Sequence, residues 1–287
     1  MRASLACFCI SIESLKENPL VTVKPIQGPL GAEIQNVSLS SSLTKKIVHE
    51  ICYALFEYKI VFFQHQELSP WHLDRFGRMI GNAQLYSFGS GLAGFPQITE
   101  IYKRETDRMV FGEEWHTDSS YLINPPNVTL VYIIEAPESG GETFFCNAEM
   151  AYSFLDPKLE EFLDRQVGVY RSGSRQHSMR RGGPISTSVD GYLEAEHPIV
   201  KTHPKTGRKH AYFSPLHFRK FKGVPIADSL EFGKKLLSHM TARKFSQAFK
   251  WNAGTIVLWD NRVVIHKAMN NYPNQRRRMY RMLIDGC

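Results

Sequence analysis

Residues 115–146 read WHTDSSYLINPPNVTLVYIIEAPESGGETFFC, and the alternation of turn signals with apolar runs in this stretch sets the expected fold. NPPN (124–127) marks a turn, and VTLVYIIE (128–135) is apolar and β-branched almost throughout, as a buried strand is. Gly140-Gly141 then turns the chain into a second strand, TFFC (143–146). Just upstream stands His116-Thr117-Asp118. On a strand, side chains at i and i+2 share a face, so an imidazole and a carboxylate with this spacing can converge on one ion. Spacing alone does not separate half a metal site from an ordinary polar strand end. His65-Gln66-Glu67 and His72-Leu73-Asp74 have the same pattern and serve as internal controls.

Working outward toward the N-terminus, VTVKPIQGPLGAEIQNVSL (21–39) predicts two short strands around a turn. Ser42-Leu43-Thr44 opens a helix through Tyr58, with Ile47, Ile51, Leu55 and Phe56 at helical spacing. KIVFFQ (59–64) is a continuous apolar strand, and Ser69-Pro70 starts a second helix through WHLDRFGRMIG (71–81). This disposes of the controls. On a helix His72 and Asp74 point about 200° apart, and His65 and Glu67 fall in an exposed loop. Toward the C-terminus, Asn147 caps two helical stretches divided near Pro157. Strands are predicted at VGVYRS (167–172), HPIVKTHP (197–204), KHAYFSP (209–215) and FSQAFKW (245–251), with one helix at 229–242. TIVLWDNRVVIHKA (255–268) and RRRMYRMLI (276–284) end the chain as strands. The expectation is mainly β, an antiparallel sandwich or barrel with flanking helices. No linker signal interrupts residues 21–287, which read as one domain behind a possible extension over residues 1–20.

Composition narrows the partners. The chain has 43% hydrophobic and 22% charged residues and a net charge of +7. The basic residues form no long polybasic arm, so a pocket for small acidic molecules fits the charge at least as well as nucleic acid does. Neither nucleic acid nor membrane is expected as a partner, and no apolar run is long enough to span a bilayer. Five cysteines without paired metal spacing predict reduced thiols in a soluble, cytoplasmic protein.

The third ligand of an ion at His116 and Asp118 must come from elsewhere, and His266, on an apolar strand, is the best candidate. A lone strand histidine is more often a core or surface residue. Its context distinguishes it. Two histidines and one carboxylate leave three coordination positions open, the arrangement that suits non-haem Fe(II) oxygen chemistry, whereas structural zinc prefers four filled positions. In the last strand, period two puts Arg277, Met279, Arg281 and Leu283 on one face. A guanidinium pointing into a barrel needs an acidic partner, either a ligand carboxylate or an internal Asp or Glu.

Six blocks occur in order: GPLGAEIQNVSL (28–39), WHTDSSYLINPP (115–126), PESGGETFF (137–145), HPIVKTHPKTGRKHAYF (197–213), LWDNRVVIHKA (258–268) and RRRMYRMLIDG (276–286). With them the chain resembles, from about Val21 onward, the taurine dioxygenase and 2,4-dichlorophenoxyacetate dioxygenase family of Fe(II)/2-oxoglutarate enzymes. The resemblance implies a double-stranded β-helix, or jelly roll. It implies that His116, Asp118 and His266 ligate iron, that Arg281 and Thr143 hold the far carboxylate of 2-oxoglutarate, and that Arg277 supports the same pocket. It further implies that O2 and 2-oxoglutarate are consumed to give succinate, CO2 and a hydroxylated small, anionic substrate, with C–S or C–O cleavage where the new hydroxyl makes the product unstable. The retained Asp118 argues against halogenation. For the substrate pocket, Asn82 falls where taurine-specific members carry a sulfonate-binding histidine, and Ser119, Tyr121, Phe218 and Trp115 are further candidates. Ser214-Pro215 departs from the family pattern, and Arg219, Lys220 and Lys222 either steer an anion or form a solvated loop. A homo-oligomer is expected from resemblance only. A metal-dependent hydrolase and a non-catalytic acid-binding module on the same barrel are the alternatives.

Overall fold

IVFF in KIVFFQ is buried at all four positions because it lies in a sheet covered on both faces. The computed structural model describes residues 20–173 and 192–287, so the expected extension lies, apart from Leu20, outside the described residues, as do Cys7 and Cys9. In the large sheet, β1 (Thr22–Pro25) and β2 (Ala32–Gln35) form a hairpin, and β2 runs parallel to β3 (Ile60–Phe63). The order continues through β15 (Ile256–Asp260), β7 (Val128–Glu135), β17 (Arg277–Gly286), β6 (Phe95–Lys103) and β5 (Gly91–Leu92). The short β4 (Gly81–Gln84) also pairs with β17. Against this sheet stands a smaller antiparallel one in which β8 (Thr143–Asn147) lies between β14 (Ser246–Phe249) and β16 (Val264–Ala268).

Period two sorts each strand between two environments. Ile60 and Phe62 of β3, Val131 and Ile133 of β7, Val257 and Trp259 of β15, and Met279 of β17 meet Phe145, Phe249 and Val264 of the smaller sheet between the layers. The alternate residues, Val61, Phe63, Leu130, Ile256, Leu258, Met282 and Ile284, pack on the opposite face against α1 (Lys45–Tyr58) and α2 (Pro70–Ile80). Such double coverage is why these strands read as unbroken apolar runs. The outer face of the smaller sheet carries Cys146 and Ile265 into a third cluster. That cluster is covered by α3 (Ala148–Ser153), α4 (Pro157–Asp164) and α5 (Ile226–Met240). Two small sheets complete the fold: β9 (Val167–Arg171) between β10 (Glu194–Pro198) and β13 (Phe218–Phe221), and the pair β11 (Val200–Thr202) and β12 (Lys209–Ala211). This is the jelly roll with flanking helices that the sequence led one to expect.

The helix ends follow their caps. Thr44 accepts the Ile47 N–H, Asn147 accepts that of Met150, and Ser69 and His72 form a reciprocal capping box behind Pro70. The control residues thus have structural work: His72 caps α2, and Asp74 receives Arg78 at 2.9 Å. Helix α5 starts three residues before the expected Ser229, directly after Pro225, which stands at its N-terminal boundary with φ −53° and ψ 146°.

One expectation is corrected. Cys52 of α1 and Cys287, just beyond β17, form a disulfide across a separation of 235 residues, while Cys146 is free and buried. The pairing is invisible in spacing because it depends on β17 running antiparallel beside β4 to the edge of the α1 and α2 layer.

Candidate active site

His116 is brought to His266 by backbone. The two residues form an antiparallel bridge, His116 N–H donating to His266 O at 2.9 Å and His266 N–H to His116 O at 2.8 Å. The His116 segment therefore extends the smaller sheet beyond β16, and their rings lie 4.2 Å apart at the centroids. Asp118, on the same face as His116, completes a buried cluster in which ligand atoms of His116, Asp118 and His266 all lie within 4.8 Å of one another. The alternation predicted for HTD holds as far as Asp118, where Ser119 breaks the strand at φ 51°.

Each side chain is oriented from behind. His116 Nδ1 donates to the Glu114 carbonyl at 2.7 Å, which leaves Nε2 with its lone pair toward the cluster. Thr129 Oγ1 donates to Asp118 Oδ2 at 2.6 Å, Asn261 Nδ2 donates to Thr129 Oγ1 at 2.7 Å, and Trp259 Nε1 fixes Asn261 at 2.9 Å. His266 stacks on Phe145 at 5.7 Å, and its Nδ1 has no hydrogen-bond partner among the described residues. Burial lowers the pKa of both histidines, His266 to about 3. For Asp118 burial alone would raise the pKa, but the charge of Arg281 first, then the adjoining imidazoles in their protonated form and the bond from Thr129, outweigh it and hold the carboxyl at about 2. The cluster therefore presents two neutral imidazoles and one carboxylate, the protonation states a divalent cation requires.

Two cavities meet at these ligands. An inner one, of about 520 Å³, lies between the sheets and is walled by Val131, Ile133, Phe145, Trp251, Thr143, Arg277 and Met279. An outer one, of about 700 Å³, is walled by Tyr86, Phe88, Tyr121, His217, Leu216 and Arg219. His116, Asp118, Phe111, Gly112 and Arg281 border both.

Arg277 and Arg281 both point inward, as period two predicts, but they do different things. Arg277 Nη2 donates to Thr143 Oγ1 at 3.1 Å, and Trp251 Nε1 donates to the same oxygen at 3.2 Å. With both lone pairs engaged, the Thr143 hydroxyl keeps its own hydrogen to donate. Among the described residues no carboxylate lies within ion-pair distance of Arg277, which is only 7% exposed. Arg281 stands beside the metal ligands instead. Its Nη1 approaches Asp118 Oδ1 at 3.4 Å, its guanidinium carbon lies 4.4 Å from the centre of the Tyr86 ring, and its Nε and Nη2 are buried without a hydrogen-bond partner. Thr143 is thus grouped with Arg277, not with Arg281.

Of the expected substrate-pocket residues, Ser119 and Tyr121 line the outer cavity and three do not. Asn82 is exposed on β4, paired with Asp285 in the sheet, because β4 runs along the outer edge of β17. Tyr86, four residues on, reaches the cavity in its place. Phe218 packs between Tyr170, Phe213 and Phe221 in the core, and its neighbour His217 faces the cavity. Trp115 turns away onto Phe144 and Lys267. Of the basic run, Arg219 borders the outer cavity, whereas Lys222 is paired with Glu196 at 2.7 Å. Tyr86, Phe111, His217 and Trp251 escape a motif search because nothing about an isolated aromatic or histidine distinguishes a wall residue from core. Asn261 lies inside a recognisable block, yet its role depends on reaching Thr129 of the neighbouring strand β7, a pairing the sequence does not display.

Comparison with known proteins agrees with this geometry. Residues 22–283 match the family described as taurine catabolism dioxygenase TauD, TfdA family. An alpha-ketoglutarate-dependent sulfate ester dioxygenase of Pseudomonas putida is 29% identical over 275 residues, covering 92% of this chain and 89% of that protein. The alpha-ketoglutarate-dependent 2,4-dichlorophenoxyacetate dioxygenase of Cupriavidus pinatubonensis is 25% identical over 285 residues, covering 91% and 96%. Among solved structures, a taurine dioxygenase from Burkholderia xenovorans superposes with a TM-score of 0.79 at 29% identity, covering 94% of this chain and 90% of that one. The chain belongs to the TauD/TfdA family and is an alpha-ketoglutarate-dependent dioxygenase.

Proposed function

We propose that residues 21–287 form one catalytic domain that holds Fe(II) at His116, Asp118 and His266, takes 2-oxoglutarate into the inner cavity and oxidises a small organic anion in the outer one. The observation that carries this is Arg277, a buried guanidinium with a hydroxyl beside it and no acidic partner among the described residues. Such a charge is costly unless a ligand supplies the anion. A dicarboxylate whose other end reaches the metal cluster supplies it. The far carboxylate of 2-oxoglutarate is thus assigned to Arg277 and Thr143, in place of the Arg281 and Thr143 pair expected from sequence. The orphaned Nε and Nη2 of Arg281, bordering both cavities, suit an oxyanion nearer the metal.

When bound, iron, O2 and 2-oxoglutarate together supply the oxidising power that yields succinate, CO2 and a hydroxylated product. The chain supplies the rest. Thr129 and Asn261 hold Asp118, and the Glu114 carbonyl sets the His116 tautomer. The sheet residues Val131, Ile133, Phe145 and Met279 keep the inner cavity apolar and exclude bulk water. In the outer cavity Tyr86, Phe88, Phe111 and Tyr121 form an aromatic wall beside Arg281, with Arg219 at its edge. That combination suits a substrate with an oxyanion head and an apolar body. The names of the relatives, sulfate ester and 2,4-dichlorophenoxyacetate dioxygenases, fit the same description.

The test is a panel of linear alkyl sulfates, alkyl sulfonates and aryloxyacetates incubated with protein, Fe(II), 2-oxoglutarate and O2. At least one compound should accelerate succinate release in proportion to the sulfate, sulfite or phenol formed. Product release that needs neither O2 nor 2-oxoglutarate would replace this proposal with a metal hydrolase.

A further inference from the structure

Among the described residues, His217 is the one imidazole of the outer cavity that is not a metal-ligand candidate. It lies in the turn between β12 and β13 and is 9% exposed. Its ring is held by the edge of Tyr121, with centroids 4.9 Å apart at 84°, and Tyr121 is backed in turn by Phe88 at 5.4 Å. Nδ1 lies 2.8 Å from Ser120 Oγ and 3.2 Å from Ser214 Oγ.

These two hydroxyls decide where the ring proton sits. Ser214 Oγ accepts the Thr117 N–H at 3.2 Å and is placed to donate to the Thr117 carbonyl at 3.3 Å, so its one hydrogen already has an acceptor. Ser120 is fully buried, and among the described residues His217 Nδ1 is the sole partner of its hydroxyl. Were Nδ1 protonated, the Ser120 hydrogen would be buried without an acceptor, a penalised state. Ser120 therefore donates to Nδ1, and the proton of a neutral ring belongs on Nε2. No described residue accepts a hydrogen bond from Nε2, which belongs to a ring lining the cavity.

We infer that His217 is a specificity-determining residue for the primary substrate: Nε2–H donates to an acceptor oxygen of the bound molecule, while Arg281 meets its negative charge. The inference rests on the proposed role of the outer cavity and narrows its occupant to an oxyanion with an oxygen within reach of a neutral donor on the aromatic wall. A site that must hydrogen-bond its ligand discriminates more sharply than an apolar one, because a ligand without the matching oxygen leaves a buried donor unpaired.

Three proteins test this: wild type, His217→Phe, which keeps an aromatic ring but no donor, and His217→Gln, which restores an N–H. All are studied with Zn(II) as a diamagnetic occupant of the metal site and with 2-oxoglutarate. Long-range proton–nitrogen NMR, with His217 assigned by its loss in the variants, should show the neutral ring protonated on Nε2 at pH 7. Calorimetry with hexyl sulfate, hexanesulfonate and phenoxyacetate should show at least one probe bound tenfold or more tighter by wild type than by His217→Phe, with affinity partly recovered in His217→Gln. An Nδ1–H ring, or equal probe affinities in wild type and His217→Phe, including no binding by either, overturns the inference. Affinity for 2-oxoglutarate should be equal in the three proteins. Its absence from all of them would instead count against the proposed cosubstrate site, leaving the tautomer result to be judged separately.

Discussion

Arg277 and Arg281 stand four residues apart on one strand face, and only their neighbours tell them apart. Thr143 and Trp251 gather at Arg277, whereas Asp118 and Tyr86 gather at Arg281. Arg277→Ala should therefore weaken 2-oxoglutarate binding by about 3 kcal/mol, close to a hundredfold, the scale of charge-assisted bonds in a dry site. Arg281→Ala should act mainly on KM for the primary substrate. Measuring KM for both substrates in both variants separates the roles, and the opposite pattern would restore the assignment made from sequence. Asp118→Ala leaves two neutral imidazoles and removes the charged ligand, so it should abolish turnover and weaken Fe(II) binding; full oxidation by that variant would refute the site. At this scale the sequence was legible where chemistry imposes a pattern. HTD and a strand histidine have a spacing and a chemistry, and their controls failed for stated geometric reasons. Asn82, Phe218 and Trp115 were misplaced because, in short strands and the irregular segments beside them, a shift of one to four residues exchanges wall for core or solvent. Period two offers no guide there.

Strands and helices were the most legible level, because double coverage writes itself as apolar runs and amphipathic spacing. Besides the four-residue β13, the elements that escaped are β4, β5 and β6, in the stretch from Gly81 to Lys103. There glycine and proline dilute the alternation, and pairing with β17 decides the conformation. β17 ties three layers together: it carries both arginines inward, packs Met282 and Ile284 against α1 and α2, and is followed by the half-cystine bonded to α1. Closing a loop of 235 residues restricts the unfolded chain, and the chain-entropy model puts the gain at about 5.5 kcal/mol. Cys287→Ser should lower the urea midpoint of the metal-free protein, and reductant should lower that of wild type to the same value. A midpoint unmoved by either would show that the pairing contributes nothing to stability.

Over the whole molecule, several imidazoles are sealed in their neutral form. His210, His217 and His266 are each lowered by burial to a pKa of about 3. In the unfolded chain a histidine titrates near 6.5. Between these values the unfolded state binds more protons than the native one, so stability is lost as pH falls, by up to about 1.4 kcal/mol per pH unit for each histidine. Urea midpoints of the metal-free protein should accordingly drop from pH 7 to pH 5; a flat profile would mean that these rings protonate freely in the native state. Part of the basic excess behind the net charge of +7 lies in two buried guanidinium groups directed inward from one strand, a placement composition cannot reveal. The central claim is that the buried metal cluster and the inner cavity bind Fe(II) and 2-oxoglutarate together. Its most direct test is an anaerobic titration of metal-free protein with Fe(II), then with 2-oxoglutarate, following the weak visible charge-transfer band of a chelated keto acid. The band should appear in wild type and require a much higher 2-oxoglutarate concentration in Arg277→Ala. Fe(II) binding with no band at any concentration would contradict the account.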